Sequence, residues 1–229
     1  MDLRFERDEN EFARTFGFFD ATFAVAMTLL VTTLDAPPGA FDTWRSLWDT
    51  MGFQFAAFAI SFALVASYWW GNHRFVSSLV ALSPAVILTN LVMLGFVALI
   101  PFTTEALGDK AANDAEVATI VYAVNIAIVS SIPVLLHVYA RRDGLFRVVP
   151  SVEEVRLKAI DLCLPTVVFL VSIPIAVLWS PEAARWSWLS LAVLGPMVGK
   201  RIGLRIDEAR ARAAAATEPG EPSSSTGSG

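Results

Sequence analysis

Arg14-Thr15-Phe16-Gly17-Phe18-Phe19-Asp20 runs directly into Ala21-Thr22-Phe23-Ala24-Val25-Ala26-Met27-Thr28-Leu29-Leu30. An arginine and an aspartate, six positions apart, open a segment apolar enough to cross a bilayer. Each charge held at bilayer depth costs about 2.5–3.5 kcal/mol on insertion scales. Charges kept at that cost need partners and a use, so function is expected to centre on this first helix.

Composition supports a membrane reading outward from that stretch. Hydrophobic residues make up 55% and charged residues 17% of the chain, against about 45–50% and about 25% in soluble domains. Six apolar stretches follow one another, at 14–35, 51–71, 79–100, 117–138, 160–179 and 185–202. Each is close to the ~20 residues that cross ~30 Å of hydrocarbon as a helix. The runs are continuous rather than alternating, which argues against barrel strands. The first stretch reads as a retained helix, because Asp8, Glu9 and Glu11 dilute Arg4 and Arg7 and no small-x-small cleavage site follows before Asp35-Ala36-Pro37-Pro38. The expected fold is therefore all-α, with residues 1–204 as a six-helix transmembrane unit. Residues 205–229 are Ala-rich and charged, then rich in Pro, Gly, Ser and Glu, and read as a disordered cytoplasmic tail.

Lys and Arg set the orientation. With the N-terminus inside, fourteen basic residues fall on the cytoplasmic side and only Arg45, Lys110 and Arg185 outside. That asymmetry places both termini in the cytoplasm. The outer segments carry Asp35, Asp42, Asp49, Glu105, Asp109, Asp114, Glu116 and Glu182, which account for the net charge of −5. Cys163 is the single cysteine and reads as a small apolar filler. Tyr68, Trp69, Trp70, Trp179, Trp186 and Trp188 lie near expected helix ends and read as an interfacial aromatic belt. Pro84, Pro133, Pro165, Pro174 and Pro196 fall inside spans, and Pro101 is expected to end or kink the third.

On a helical wheel at about 100° per residue, Phe18, Ala21, Val25, Thr28, Leu29 and Thr32 share one face of the first helix. Asp20 points to the opposite side and needs a partner on another helix. His73, Arg74 and Asn90 are candidates; Arg14 is awkward, since about 240° of rotation separates it from Asp20. Read from the residues alone, the stripe is either the wall of an ion path or a plain packing face whose Thr hydroxyls bond back to their own helix.

The first-helix stretch resembles the Arg-x-x-x-Phe-Ser-Asp signature of the transmembrane protein 175 family, which comprises a lysosomal potassium channel and prokaryotic relatives. Arg14, Phe18 and Asp20 match it, followed by Phe23-Ala24-Val25-Ala26 and Thr28-Leu29-Leu30. Ser61-Phe62, Tyr68-Trp69, His73-Arg74-Phe75, Asn90-Leu91 and Pro101-Phe102-Thr103 agree with prokaryotic members, and the resemblance covers residues 12–105. It implies six-helix subunits, four around a pore lined by the first helix of each, passing potassium. The resemblance places the apolar constriction at Val25 and Leu29 and a hydroxyl of the potassium path at Thr28; Thr32, on the same stripe where prokaryotic members are often apolar, is read as a second such hydroxyl. Phe19 stands where the family has serine.

On this reading Arg14, Asp20, His73 and Asn90 form a structural polar cluster, and Asp35 repeats around the fourfold axis as an outer-mouth ring of acids. The chain is then a homotetramer in the bacterial inner membrane. A proton-coupled or proton-permeable transporter using Asp20 and His73 is the alternative, weakened by the scarcity of other ionisable groups within the spans. An enzyme is not expected: His73 and His137 are the only histidines, and neither triad nor metal-ligand spacing is present. No cofactor and no nucleic-acid partner are expected.

Overall fold

The computed structural model describes residues 4–108 and 115–215. Asp109, Lys110 and Asp114, and positions 216–229 of the expected tail, lie outside the described residues. The elements run in the order β1 (Phe5–Glu6), α1 (Asn10–Leu29), a 3-10 turn (Leu30–Thr33), α2 (Trp44–Ser77), β2 (Ala81–Leu82), α3 (Pro84–Ala98), α4 (Ile100–Gly108), α5 (Ala115–Arg142), α6 (Val152–Leu178), α7 (Pro181–Trp188) and α8 (Ser190–Ala215).

Local chemistry explains most boundaries. Thr43 caps α2 by accepting from the Ser46 N–H at 3.0 Å. Ser83 caps α3, with Pro84 in the first turn, where its missing N–H costs nothing. Pro84 thus opens a helix rather than lying inside one. Pro101 enters the first turn of α4 just after a break at Leu99, so α3 and α4 form one interrupted span. Ser151 and Glu154 form a reciprocal capping box at the start of α6.

Five segments among the described residues are long and apolar enough to cross a membrane: Asn10–Thr33, Trp44–Ser77, Pro84–Gly108, Ala115–Arg142 and Val152–Leu178. The sixth expected span, 185–202, is not one helix. It is divided at Leu189 between α7 and α8. The helix then continues to Ala215, so it takes in the start of the expected tail at 205. Ala, Arg and Glu are strong helix formers, and residues 206–215 consist largely of them.

α5 is the centre of the bundle, packing against α3, α4, α6 and α7. Its buried Tyr122, Ile126 and Val129 meet Met93 and Val97 of α3 and Phe169 of α6 in one continuous core. Polar bonds tie the spans together. Ser61 of α2 and Tyr122 of α5 share a hydrogen bond of 2.9 Å, and Thr104 of α4 donates to Ser61 at 2.8 Å. Tyr68 of α2 and Ser130 of α5 lie 2.6 Å apart. In lipid, such bonds and close packing replace the hydrophobic drive between helices.

One end of the bundle is laced by short backbone pairings. Phe5 and Glu6 pair antiparallel with Leu82 and Ala81, and Leu79 bridges Phe146 in the α5–α6 loop. Arg7 donates to the carbonyls of Ser77 and Leu79, both at 2.9 Å. Arg212, near the end of α8, reaches Glu153 at the start of α6 at 3.6 Å. The first and last described segments therefore share this end.

Candidate functional site

α1 has two sharply different faces. Phe12, Phe19, Phe23 and Ala26 are buried against the subunit's own core. Their spacing of three, four and seven residues is that of one helix face. Phe19, which stands in place of a small hydroxyl residue, is completely buried. The opposite face carries Phe18, Val25 and Leu29, exposed to 55%, 56% and 44%. Ala21, Thr28 and Thr32 on the same side are exposed as well. The wheel puts these six residues together, and the chain leaves all six uncovered.

The hydroxyls of that face are oriented by their own helix. Thr28 donates to the Val25 carbonyl at 2.8 Å, and Thr32 to the Leu29 carbonyl at 2.7 Å. Each hydroxyl has one proton to give and two lone pairs. With the proton spent on the backbone, the oxygen is left as an acceptor facing outward, which suits a cation. Thr32 lies in the 3-10 turn, where the chain winds about 120° rather than 100° per residue. It stays on the exposed side despite that change.

Behind the stripe, Asp20 is held by α2. Trp69 Nε1 donates to Asp20 Oδ1 at 2.9 Å, and His73 Nδ1 lies 3.3 Å from Oδ2. The His73 ring sits between Phe16 and Trp69, with centroids 4.9 and 5.6 Å away. Asp20 and His73 are both half-buried. The geometry is that of a carboxylate held between an indole N–H and an imidazole nitrogen.

The other two expected members of this cluster lie elsewhere. Arg14 makes no hydrogen bond or ion pair among the described residues. Eleven positions before Val25, it falls about 20° from Val25 on the wheel. It therefore sits on the exposed side of α1, in a shallow groove with Glu11, Phe18 and Leu91. Asn90 is fully buried, but its Nδ2 donates to the Val86 carbonyl of its own helix at 3.2 Å. The amide is satisfied locally on that side and does not reach Asp20.

Asp35 is exposed beyond the 3-10 turn, and its backbone N–H donates to Gln54 Oε1 of α2 at 3.0 Å. Gln54 thus fixes where the loop leaves α1. The aromatic belt divides. Trp70, Trp179 and Trp186 are exposed, whereas Trp188 is buried between Tyr122 and Phe169. Trp69 and Tyr68 are internal hydrogen-bond donors. Arg185, read as an outer-side base, pins α7 to the start of α5. It donates to Thr119 Oγ1 at 2.9 Å and the Ala115 carbonyl at 3.1 Å, with its guanidinium over the Phe53 ring. Among the described residues, no three His, Cys, Asp or Glu side chains gather as a metal site.

Taken together, these features define a multi-pass helical membrane protein whose first helix buries one face and leaves the other uncovered. Residues 14–101 match the family described as the endosomal/lysosomal potassium channel TMEM175. A Streptomyces collinus protein named as a potassium channel is 32% identical over 118 residues, 49% of this chain and 56% of that one. A Chamaesiphon minutus protein named likewise is 32% identical over 124 residues, 51% of this chain and 59% of that one. The chain thus spans a little over half the length of these two curated relatives. Its fold is that of the crystal structure of a lysosomal potassium-selective channel TMEM175 homolog from Chamaesiphon minutus. The TM-score is 0.66 at 24% identity, covering 86% of this chain and 99% of that one. The potassium channel MtTMEM175, solved as a variant with a nanobody fusion, matches with a TM-score of 0.53 at 17% identity, over 93% and 96% of the two chains.

Proposed function

We propose that this chain is one subunit of a homotetrameric, passive cation channel favouring potassium, with α1 of each subunit lining the pore. The observation that carries this reading is the uncovered stripe on α1. A face made of Phe18 followed by Ala, Val, Leu and Thr, opposite a packed aromatic face, has a use if copies of itself surround an aqueous path. Val25 and Leu29 form the dry constriction, since rings of aliphatic side chains gate by dewetting. Thr28 and Thr32 supply acceptor oxygens to partly dehydrated ions. Asp20 braces α1 against α2 through Trp69 and His73, and Asp35 forms a ring of acids at the outer mouth. The relatives named as potassium channels support the ion assigned.

Residues 1–204 form the six-span channel unit in this reading, with the sixth crossing made by α7 and α8 together. The basic residues at the laced end put that end, and both termini, in the cytoplasm, in a bacterial inner membrane. A relay through Asp20 and His73 is disfavoured by the Trp69 bond, which spends one carboxylate oxygen on a non-titrating donor.

Purified protein in liposomes tests the proposal. Linear passive currents with a reversal potential biased toward potassium over sodium are expected. Saturable flux that requires a proton gradient would replace the channel reading with the transporter.

A further inference from the structure

A cavity of about 720 Å³ lies between α2, α5 and α6 at the laced end of the bundle, on the side of α2 away from the Asp20 contact. Met93, Leu136 and Pro165 contribute to its apolar wall, and Asn72, Arg74 and Arg147 also line it. Asn72 is only 5% exposed, and neither end of its amide has a hydrogen-bond partner among the described residues. Burying both an unpaired donor and an unpaired acceptor is costly. A ligand that offers one of each would remove that cost.

The charges around the cavity are not equally free. Glu154 accepts from the Ser151 N–H at 2.8 Å in the α6 capping box. Lys158 and Asp161 neutralise each other at 2.7 Å. Arg74 and Arg147 make no side-chain hydrogen bond or ion pair among the described residues and are exposed at the mouth. Glu154 keeps its negative charge, so the lining is net positive by one, and the two guanidinium groups at the mouth are the side chain best matched to a phosphate.

Apolar walls, a basic mouth and an unpaired amide together describe the complement of one class of molecule. We propose that this cavity binds an anionic phospholipid with a hydroxylated headgroup. Arg74 and Arg147 hold the phosphate, a turn of the Asn72 side chain into the cavity brings its amide to a headgroup hydroxyl and an ester carbonyl, and an acyl chain fills the apolar part. Basic pockets between spans at a membrane face recognise anionic headgroups in this way. The site lies apart from the α1 stripe, so it stands whether or not the channel reading holds.

The test titrates the purified full chain, in neutral detergent, with fluorescently labelled phosphatidylglycerol and, in parallel, labelled phosphatidylcholine. Phosphatidylglycerol is expected to bind more tightly. Arg74→Gln and Arg147→Gln should each weaken it about fivefold, the effect of one basic residue near an anionic headgroup. Asn72→Leu should weaken it too while leaving the melting temperature unchanged or raised, because it removes the unpaired amide. Arg142→Gln alters an exposed arginine at the same end but outside the cavity, and should leave binding unchanged. An equal loss in Arg142→Gln would overturn the site in favour of diffuse surface charge. Equal binding of phosphatidylcholine would overturn the role of the headgroup charge. Displacement of the lipid by inorganic phosphate at millimolar level would overturn the lipid in favour of a free anion.

Discussion

Both faces of α1 carry large apolar side chains, yet one is sealed inside the bundle and the other is bare. Phe12, Phe19 and Phe23 fill the sealed face, and Val25, Thr28 and Leu29 lie on the bare one. Side-chain size and chemistry separate them. Aromatic bulk fills the space between α1 and its neighbours, while the bare face, beyond Phe18, carries aliphatic groups and hydroxyls whose protons are already spent on the backbone. Hydrophobicity identifies a membrane helix, because lipid, a core and a neighbouring subunit are alike in polarity. It does not say which of the three a given face will meet.

The comparison is broken most directly by a pair of truncations. Phe23→Ala opens a cavity in a fully buried site and should cost about 3–5 kcal/mol of stability. Val25→Ala should change stability by no more than about 0.5 kcal/mol. Thermal unfolding of the two purified variants reads the difference, and equal losses would make the stripe a packing face. Asp20→Ala is next in size. It strands the half-buried Trp69 donor, and leaving such a donor unpaired costs about 1 kcal/mol, the low end for an unsatisfied group. The assembled fraction on size-exclusion chromatography should fall while the reversal potential of surviving channels holds. A fully assembled, normally stable Asp20→Ala protein would remove the bracing role.

Smaller effects sharpen what the bare face does. Leu29→Asn should hydrate the constriction and raise unitary conductance severalfold, measured in planar bilayers, with little change in stability. Thr28→Val keeps the shape but deletes the outward oxygen. Its reversal potential in mixed potassium and sodium should move toward non-selectivity; an unchanged value would relieve Thr28 of that function. Asp35→Asn should have the least effect. Inward current should drop in dilute potassium and recover in ~1 M salt, where the Debye length shrinks to ~3 Å. Equal currents in dilute solution would leave Asp35 as an ordinary loop residue.

The aspartate shows how far reading the chain could go. A lone carboxylate on the far side of a membrane helix demands a partner, and His73 was within reach of that argument. Trp69 was not, because tryptophans near helix ends have a sufficient explanation at the membrane interface. The signal available was spacing: Trp69 and His73 are four apart on α2 and so share a face. Arg14 teaches the converse. Membership of one sequence signature suggested a place beside Asp20, but about 240° of rotation puts it on the bare side, as the wheel had warned. Asn90 is buried as a membrane amide should be, yet its own helix supplies the acceptor.

Composition, run length and charge asymmetry were enough for the all-helical membrane class, for most of the spans and for the division of α1 into two faces. Each follows from properties local to the chain: transfer free energy of consecutive residues and a fixed rotation per residue. The bundle alone decided that Trp69 grips Asp20, that Trp188 is core, that the sixth apolar stretch breaks at Leu189, and that Asn72 and two unpaired arginines gather around one cavity. Those outcomes depend on which residues, as far apart in the chain as Asp20 and Trp69 or Arg74 and Arg147, the fold brings to one place. Helical periodicity carries no information about which distant turn will lie opposite, so only packing could supply it.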